Sequence, residues 1–404
     1  MSAAPRVAVI GGSIVGLLAG NIFHRMGWDV LVCERTPGVM EGRGAGITIL
    51  PGLEEAFAAA GVNEKVYGIE LPERIALDRA GNIVAQRSFK QVMTSWLRLY
   101  DFLRAVFPPE RYRAGMTLER LEQNDTSATA IFTDGTRVEA DLVIAADGLR
   151  STVRQQLMPE LKPFYPGYIA WRCLVDESAL ASSAHELLFG RYTVNVAPGQ
   201  QGIGYPVPGP NHSMAPGEQQ YNVVWYQPVE EAHLAHLMTD DSGRYHANGI
   251  APGLIARQVR RQMVSDAHAS LAPQLAEAIE RARLTFFQPI LDLEMPRLVF
   301  GRVVIVGDAA FVIRPHVAMG IPKGAGDVLE LADRLRTAGS DYSAALEAFE
   351  QKRLRIGRAI LERGRYLGSY MEAQLKSRTE REEAERQRIP ERVMMETAAP
   401  MLYQ

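Results

Sequence analysis

An apolar run from Arg6 to Ile10 (RVAVI) leads straight into GGSIVG (Gly11 to Gly16), and that junction leaves few folds open. The run has the continuous apolar character of a strand buried on both faces. From Ile14 to Met26 the apolar Ile14, Val15, Leu18, Ile22 and Phe23 fall at helical spacing, and Gly27 follows where a left-handed C-cap suits glycine. Val30 to Cys33 (VLVC) predicts a second strand. Strand, tight turn, helix and strand make one βαβ unit, which calls for a parallel sheet with a right-handed crossover. Gly11 allows the tight turn, and Gly16 lets the helix pack closely on the strand. Ser13 stands where the usual fingerprint has its middle glycine, yet it is small enough to let backbone approach a phosphate. The helix N-terminus offers free N–H groups to a pyrophosphate, and Glu34 closes the second strand in place to accept from a ribose hydroxyl. Alone, the motif specifies a dinucleotide without saying which.

Two similar signals lie downstream. Ala140 to Ala145 (ADLVIA) precedes Asp147-Gly148 and then Arg150, Ser151 and Arg154. Arg302 to Val306 (RVVIV) precedes Gly307-Asp308-Ala309-Ala310, then Arg314-Pro315-His316 and Gly320. Either carboxylate could simply cap a helix; Asp308 could instead bond the hydroxyls of a ribitol chain. Gly320 to Leu335 reads as a helix that tolerates Pro322 in its first turn. Between these signals the chain becomes rich in short strands (Tyr168 to Arg172, Tyr192 to Val196, Gly202 to Val207, Tyr221 to Tyr226) separated by Gly, Pro, Asn and His.

The fold class is therefore α/β. A Rossmann-like dinucleotide domain (1–71, 96–165 and 297–340) carries an inserted, mainly antiparallel β-sheet substrate domain (72–95 and 166–296). A C-terminal helical region (341–404) follows. Its stretch Arg378 to Arg388, dense in Glu and Arg, reads as a solvated helix face.

A length of 404 residues suits two lobes sharing an interface, and the net charge of -3 gives no electrostatic reason to expect a nucleic-acid or membrane partner. Cys33 and Cys173 are too few for a disulfide framework and lack metal spacing, so no metal site and a cytoplasmic location are expected. No leader segment and no membrane span are expected either.

Taken together, GxSxxG with Glu34, DGxxSxVR at Asp147 to Arg154, and GDAA with a downstream Pro and Gly resemble the class A flavoprotein monooxygenases typified by p-hydroxybenzoate hydroxylase. The resemblance spans about residues 5–370. It implies FAD as cofactor, NADH or NADPH as transient co-substrate, and O2. It also implies hydroxylation of a small hydroxylated aromatic or N-heteroaromatic ring through a flavin C4a-hydroperoxide. Homodimers are common in such a family. By the same resemblance Gly11, Ser13, Gly16, Glu34 and Arg35 hold the ADP half, and Asp147, Gly148 and Arg154 belong to a segment serving FAD and pyridine nucleotide. Asp308 holds the ribitol, and Pro315 to Gly320 line the isoalloxazine. Tyr165 to Arg172, Tyr205 to Gly209, Arg314 to His316, and Lys323 with Asp327 further resemble the subgroup acting on 2,6-dihydroxypyridine. One departure stands out: Trp96 occupies the place of an arginine that helps bind FAD, with Arg98 two residues on, so the residue meeting that part of FAD stays open.

For the proton that a phenol-like ring must lose, His316 beside Pro315 is the first candidate, because imidazole titrates near neutral pH. Its alternative is a histidine that only bonds loop backbone. Tyr205 and Tyr226 are candidates for orienting a ring hydroxyl, and Trp171 and Arg172 for walls of the pocket. Two other readings remain: a flavin enzyme of the same fold doing epoxidation or dehydrogenation, and a non-catalytic FAD-binding sensor.

Overall fold

The computed structural model describes residues 4–38, 46–64, 67–247, 249–338 and 342–400. Six strands form one sheet in the order Val299–Phe300, Val303–Ile305, Leu142–Ala145, Arg6–Ile10, Asp29–Glu34 and Tyr112–Ala114. Every neighbouring pair is parallel except the first. Val7 to Ile10 and Leu142 to Ala145 are buried throughout, which is why these strands read as unbroken apolar runs. Helix Ile14–Arg25 packs against helices Trp96–Val106 and Gly320–Thr337, and Gly27 takes the left-handed φ of 85° expected after its end.

The second sheet has eight strands in the order Leu284–Pro289, Tyr168–Asp176, Gln220–Pro228, Gln201–Val207, Arg191–Asn195, Ile69–Leu77, Ile83–Ser95 and Gly46–Ile49. Its pairs are antiparallel except Arg191–Asn195 with Ile69–Leu77. Gly46–Ile49 lies at its edge although the sequence places that stretch in the dinucleotide domain. Too short to bury a face alone, this strand is recruited by the exposed edge of Ile83–Ser95.

Alternation along Tyr168–Asp176 divides two cores. Trp171, Cys173 and Val175 face helices Arg257–Ser270 and Pro273–Glu280. Tyr168 and Ala170 face the opposite side with Tyr205, Tyr226 and Met394.

The C-terminal region is helical as expected, with Ser343–Ala373, Arg378–Gln387 and Pro390–Glu396; Asp341, where the sequence starts it, lies outside the described residues. Arg378–Gln387 buries no residue and begins with a Ser377/Glu380 capping box, as a solvated helix would. Among the described residues no helix is long and apolar enough to cross a membrane.

Candidate active site

The first cleft opens at the βαβ turn. A Cβ on Gly16 would sit 1.8 Å from the Gly11 carbonyl oxygen, and one on Gly11 (φ 103°) 2.4 Å from that of Ala146, so no side chain fits at either position. Ser13 precedes the helix without a side-chain cap, which leaves the first-turn N–H groups available to a phosphate. The Glu34 carboxylate accepts from the backbone N–H of Gly12 (2.8 Å) and of Thr36 (2.9 Å), which pins it at the strand end. Gly11, Ser13, Glu34, Arg35, Asp147 and Gly148 all line this cleft, of about 330 Å³. Asp147 accepts from Val153 N (3.3 Å), but its second oxygen, Oδ1, is buried without a partner, and burial raises its pKa. An orphaned acceptor on the cleft wall is what a ligand hydroxyl would satisfy.

Arg154 does not join this group. Its side chain lines neither cleft and bonds carbonyls instead, Ala309 O at 3.0 Å and Leu149 O. It therefore ties the Asp147 segment to the GDAA loop, acting on the cofactor site through position. A long buried cation on the short helix Thr152–Leu157 gave no sequence sign that its partners would be backbone.

The second cavity, about 220 Å³, lies between the eight-stranded sheet and the segment that follows strand Val303–Ile305. Arg172, Tyr205 and Tyr226 come from the sheet; Asp308 and Pro315 come from the loop, and Gly320 from the start of helix Gly320–Thr337. Asp308 opens into the cavity, but protein crowds its carboxyl and raises its pKa, with Lys323 pulling the other way. Ala318 adopts a left-handed φ of 55° just before helix Gly320–Thr337, a strained turn for a residue with a side chain. Met319 at the N-cap provides no side-chain bond, so the helix start faces the cavity uncapped. Below it Lys323 Nζ bonds Asp327 (2.8 Å) and Gly307 O (2.8 Å). Asp327 in turn accepts from Gly307 N (3.0 Å) and Arg353 (2.7 Å).

Arg172 is the unusual group. It makes no hydrogen bond or ion pair among the described residues, and its Nε is buried and unpartnered. Tyr205 donates to Gly46 O at 3.0 Å, and burial pushes its phenol up to about 12. Gly46 and Thr48 from the recruited edge strand, and Thr397 and Ala398 from the C-terminal segment, complete the walls. The sequence did not reveal these, because their proximity is purely tertiary.

Two further expectations are corrected. Trp171 does not wall the cavity. The period of the strand turns it to the other face, where its indole bonds Gln227 (2.9 Å) and packs on Phe287. His316 sits behind Tyr226, its ring centroid 4.0 Å away, and outside the cavity lining. Burial, with Arg314, Arg172 and Arg388 nearby, lowers its pKa to about 3, so it does not titrate near neutrality.

The residues present fit FAD: the glycine turn, Glu34 and the unpartnered Asp147 Oδ1 border one cleft, and Asp308 and the uncapped helix start at Gly320 border the other cavity. A family model described as FAD binding domain-like matches residues 165–292. The chain belongs to the FAD-dependent aromatic-ring monooxygenases: FAD is its cofactor, NAD(P)H its reductant and O2 its oxidant. It is 31% identical over 378 residues, 91% of each chain, to 2,6-dihydroxypyridine 3-monooxygenase of Paenarthrobacter nicotinovorans. The solved 2,6-dihydroxypyridine-3-hydroxylase of Arthrobacter nicotinovorans superimposes with a TM-score of 0.86 at 30% identity, covering 93% of this chain and 94% of that one. The 3-hydroxybenzoate 6-hydroxylase of Polaromonas naphthalenivorans is 27% identical over 96% of this chain and 93% of its own.

Proposed function

We propose that the chain hydroxylates a small ring of the hydroxypyridine type that binds as an anion, with Arg172 holding its charged oxygen edge. The carrying observation is the unpaired Arg172 guanidinium on the sheet side of the cavity. Its neighbours in the lining there are Tyr192, Tyr205, Tyr226 and apolar groups, while Asp308 stands on the loop side and makes no ion pair with it. A half-buried cation without a counter-ion is costly, and an anionic ligand relieves that cost. The relatives named for 2,6-dihydroxypyridine support this ring class.

When bound, FAD would supply the redox chemistry, accepting reducing equivalents from NAD(P)H and activating O2. One oxygen atom then enters the ring and the other leaves as water. The chain's part is to orient and to exclude water. Arg172 favours the ionised ring, which makes it the better nucleophile, and Tyr205 and Tyr226 stay neutral as hydrogen-bonding walls. His316, held neutral with its Nε2 3.1 Å from the Tyr168 hydroxyl, supports Tyr226 from behind and does not take the ring proton. Asp308, Pro315 and Gly320 carry the flavin side of the site. A cytoplasmic setting belongs to this reading, supported by free, buried Cys33 and Cys173. So does a homodimer, which sedimentation would test.

The test is NADH and NADPH oxidation by the yellow protein, with and without 2,6-dihydroxypyridine, related hydroxypyridines and simple phenols. Ring-stimulated oxidation with a product one oxygen heavier is expected. Stimulation without product means an effector, and no stimulation by any ring defeats the reading. Arg172→Met should keep FAD and raise KM for the anionic ring by about tenfold to a hundredfold, the worth of a charge-assisted bond.

A further inference from the structure

The eight-stranded sheet contains a second arginine that no carboxylate neutralises. Arg74, on strand Ile69–Leu77, is fully buried, and among the described residues it pairs with no acid. Nη1 donates to Met394 O (2.8 Å) and Thr397 O (2.7 Å), and Nη2 to Ala398 O (3.0 Å), while Nε donates to Gln91 (3.0 Å). Its planar fork thus takes up one carbonyl from the last turn of helix Pro390–Glu396, that of Met394, and the two carbonyls of Thr397 and Ala398 just past its end. Burying a guanidinium against neutral carbonyls is a poor route to stability, since an apolar side chain of similar volume would avoid the desolvation cost. What the arrangement secures is the location of the backbone it holds.

That backbone borders the ring cavity. Thr397 and Ala398 line it. Ala398 takes a left-handed φ of 49°, and its N–H donates to His316 O at 2.8 Å, on the loop whose Pro315 lines the flavin side. Gln201 donates to the Thr397 hydroxyl at 3.2 Å. The segment is therefore stitched to the sheet by Arg74 and Gln201, and to the flavin loop by its own backbone. Since the Thr397 hydroxyl also donates to Val393 O (2.7 Å), the wall has no free polar side chain to offer a ligand.

We propose that Thr397 and Ala398 form the wall that limits ring size and keeps water from the hydroxylation cavity, and that Arg74 is the positioning residue that holds this wall in place. The proposal rests on the ring-hydroxylase reading above and adds a specificity element from outside both main domains. A wall that swings away should admit water and larger rings, and reducing equivalents should then be lost as hydrogen peroxide without product.

Two variants of the FAD-loaded protein test it: Arg74→Met, which keeps the volume and removes the donors, and a chain ended after Glu396, which keeps Met394 in the core. Hydroxylated product per NAD(P)H consumed is measured with 2,6-dihydroxypyridine and with a dihydroxyquinoline. A several-fold fall in product yield, a matching rise in peroxide and a gain with the larger ring are expected in each. A purely structural Arg74 would lower the melting temperature without moving these ratios. Should Arg74→Met fail to fold, the shortened chain decides; a yellow, folded shortened chain with unchanged yield and ring preference overturns the proposal. Hydrogen exchange on the wild type is independent of both variants. The 2,6-dihydroxypyridine ligand should slow exchange at Met394 to Ala398, and unchanged exchange there also overturns it. A wild type that hydroxylates no ring fails the functional reading instead, a result distinct from variants that match an active wild type.

Discussion

At the residue scale, burial decides protonation more than residue type does. His316 illustrates this, since its imidazole is 1% exposed and its pKa falls from 6.5 to about 3. Above pH 6.5 the group is neutral folded or unfolded and contributes nothing to pH dependence. Between 6.5 and about 3 the unfolded chain binds a proton that the folded chain refuses, so stability falls as pH falls. From pH 7 to pH 5 this group should remove about 2 kcal/mol. His316→Gln keeps a neutral partner for Tyr168 and lacks the proton, so its stability deficit against wild type should narrow by that amount at pH 5. Urea unfolding at both pH values measures it, and a gap that does not change with pH would mean His316 is not held neutral. The sequence identified His316 and Arg172 by type and by nearness to motifs, but could not assign their environments. Whether a strand residue faces one core or the other depends on register, and Trp171 and Arg172, adjacent in sequence, end on opposite faces.

At the element scale, the parts that bind by backbone were legible and the parts that bind by long-range side chains were not. The glycine turn, the two later strand-turn signals and helix Gly320–Thr337 carry local constraints (φ, close approach, capping) that appear directly in residue type. The buried Lys323–Asp327–Arg353 cluster combines a local i,i+4 pair with an arginine from helix Ser343–Ala373, and only the first half was visible. Asp327 is the hub. Both cations and the Gly307 N–H converge on it, and Lys323 and Arg353 hold its pKa down against burial. Asp327→Ala would strand two buried cations and should cost about 3–5 kcal/mol, with weakened FAD retention because the Gly307-Asp308 loop loses its anchor. Lys323→Met should cost less, as Asp327 keeps Arg353. Chemical denaturation together with FAD titration would check this order, and equal losses would mean that the carboxylate is not the hub.

At the scale of the whole molecule, the two lobes and the C-terminal helices meet at one cavity, and the meeting is reinforced by an ion cluster centred on the buried Arg314 and Asp292. Arg314, just after the GDAA loop, pairs with Asp292 at the exit of the substrate sheet (2.8 Å) and with Glu372 on the long helix (2.9 Å); Arg365 joins at 3.2 Å. Local pattern foretold two lobes but not this junction, since its members are separated in sequence and each looks like an ordinary surface charge. If the junction couples the lobes, they should unfold together. Flavin fluorescence reports loss of the Rossmann side, while Trp171 and Trp225, both buried in the substrate-sheet core, report the other lobe once Trp28 and Trp96 of the Rossmann core are replaced by Phe in the background used for both proteins. In the FAD-bound wild type the two thermal transitions should coincide. Arg314→Met leaves Asp292 buried with only Arg365 beside it, and should both lower the midpoint and separate the two signals, with the flavin leaving first because its loop is released while the sheet core stays packed. Coincident transitions in Arg314→Met would show that the shared cavity walls alone bind the lobes together, and separated transitions in the wild type would show that the ion cluster does not couple them.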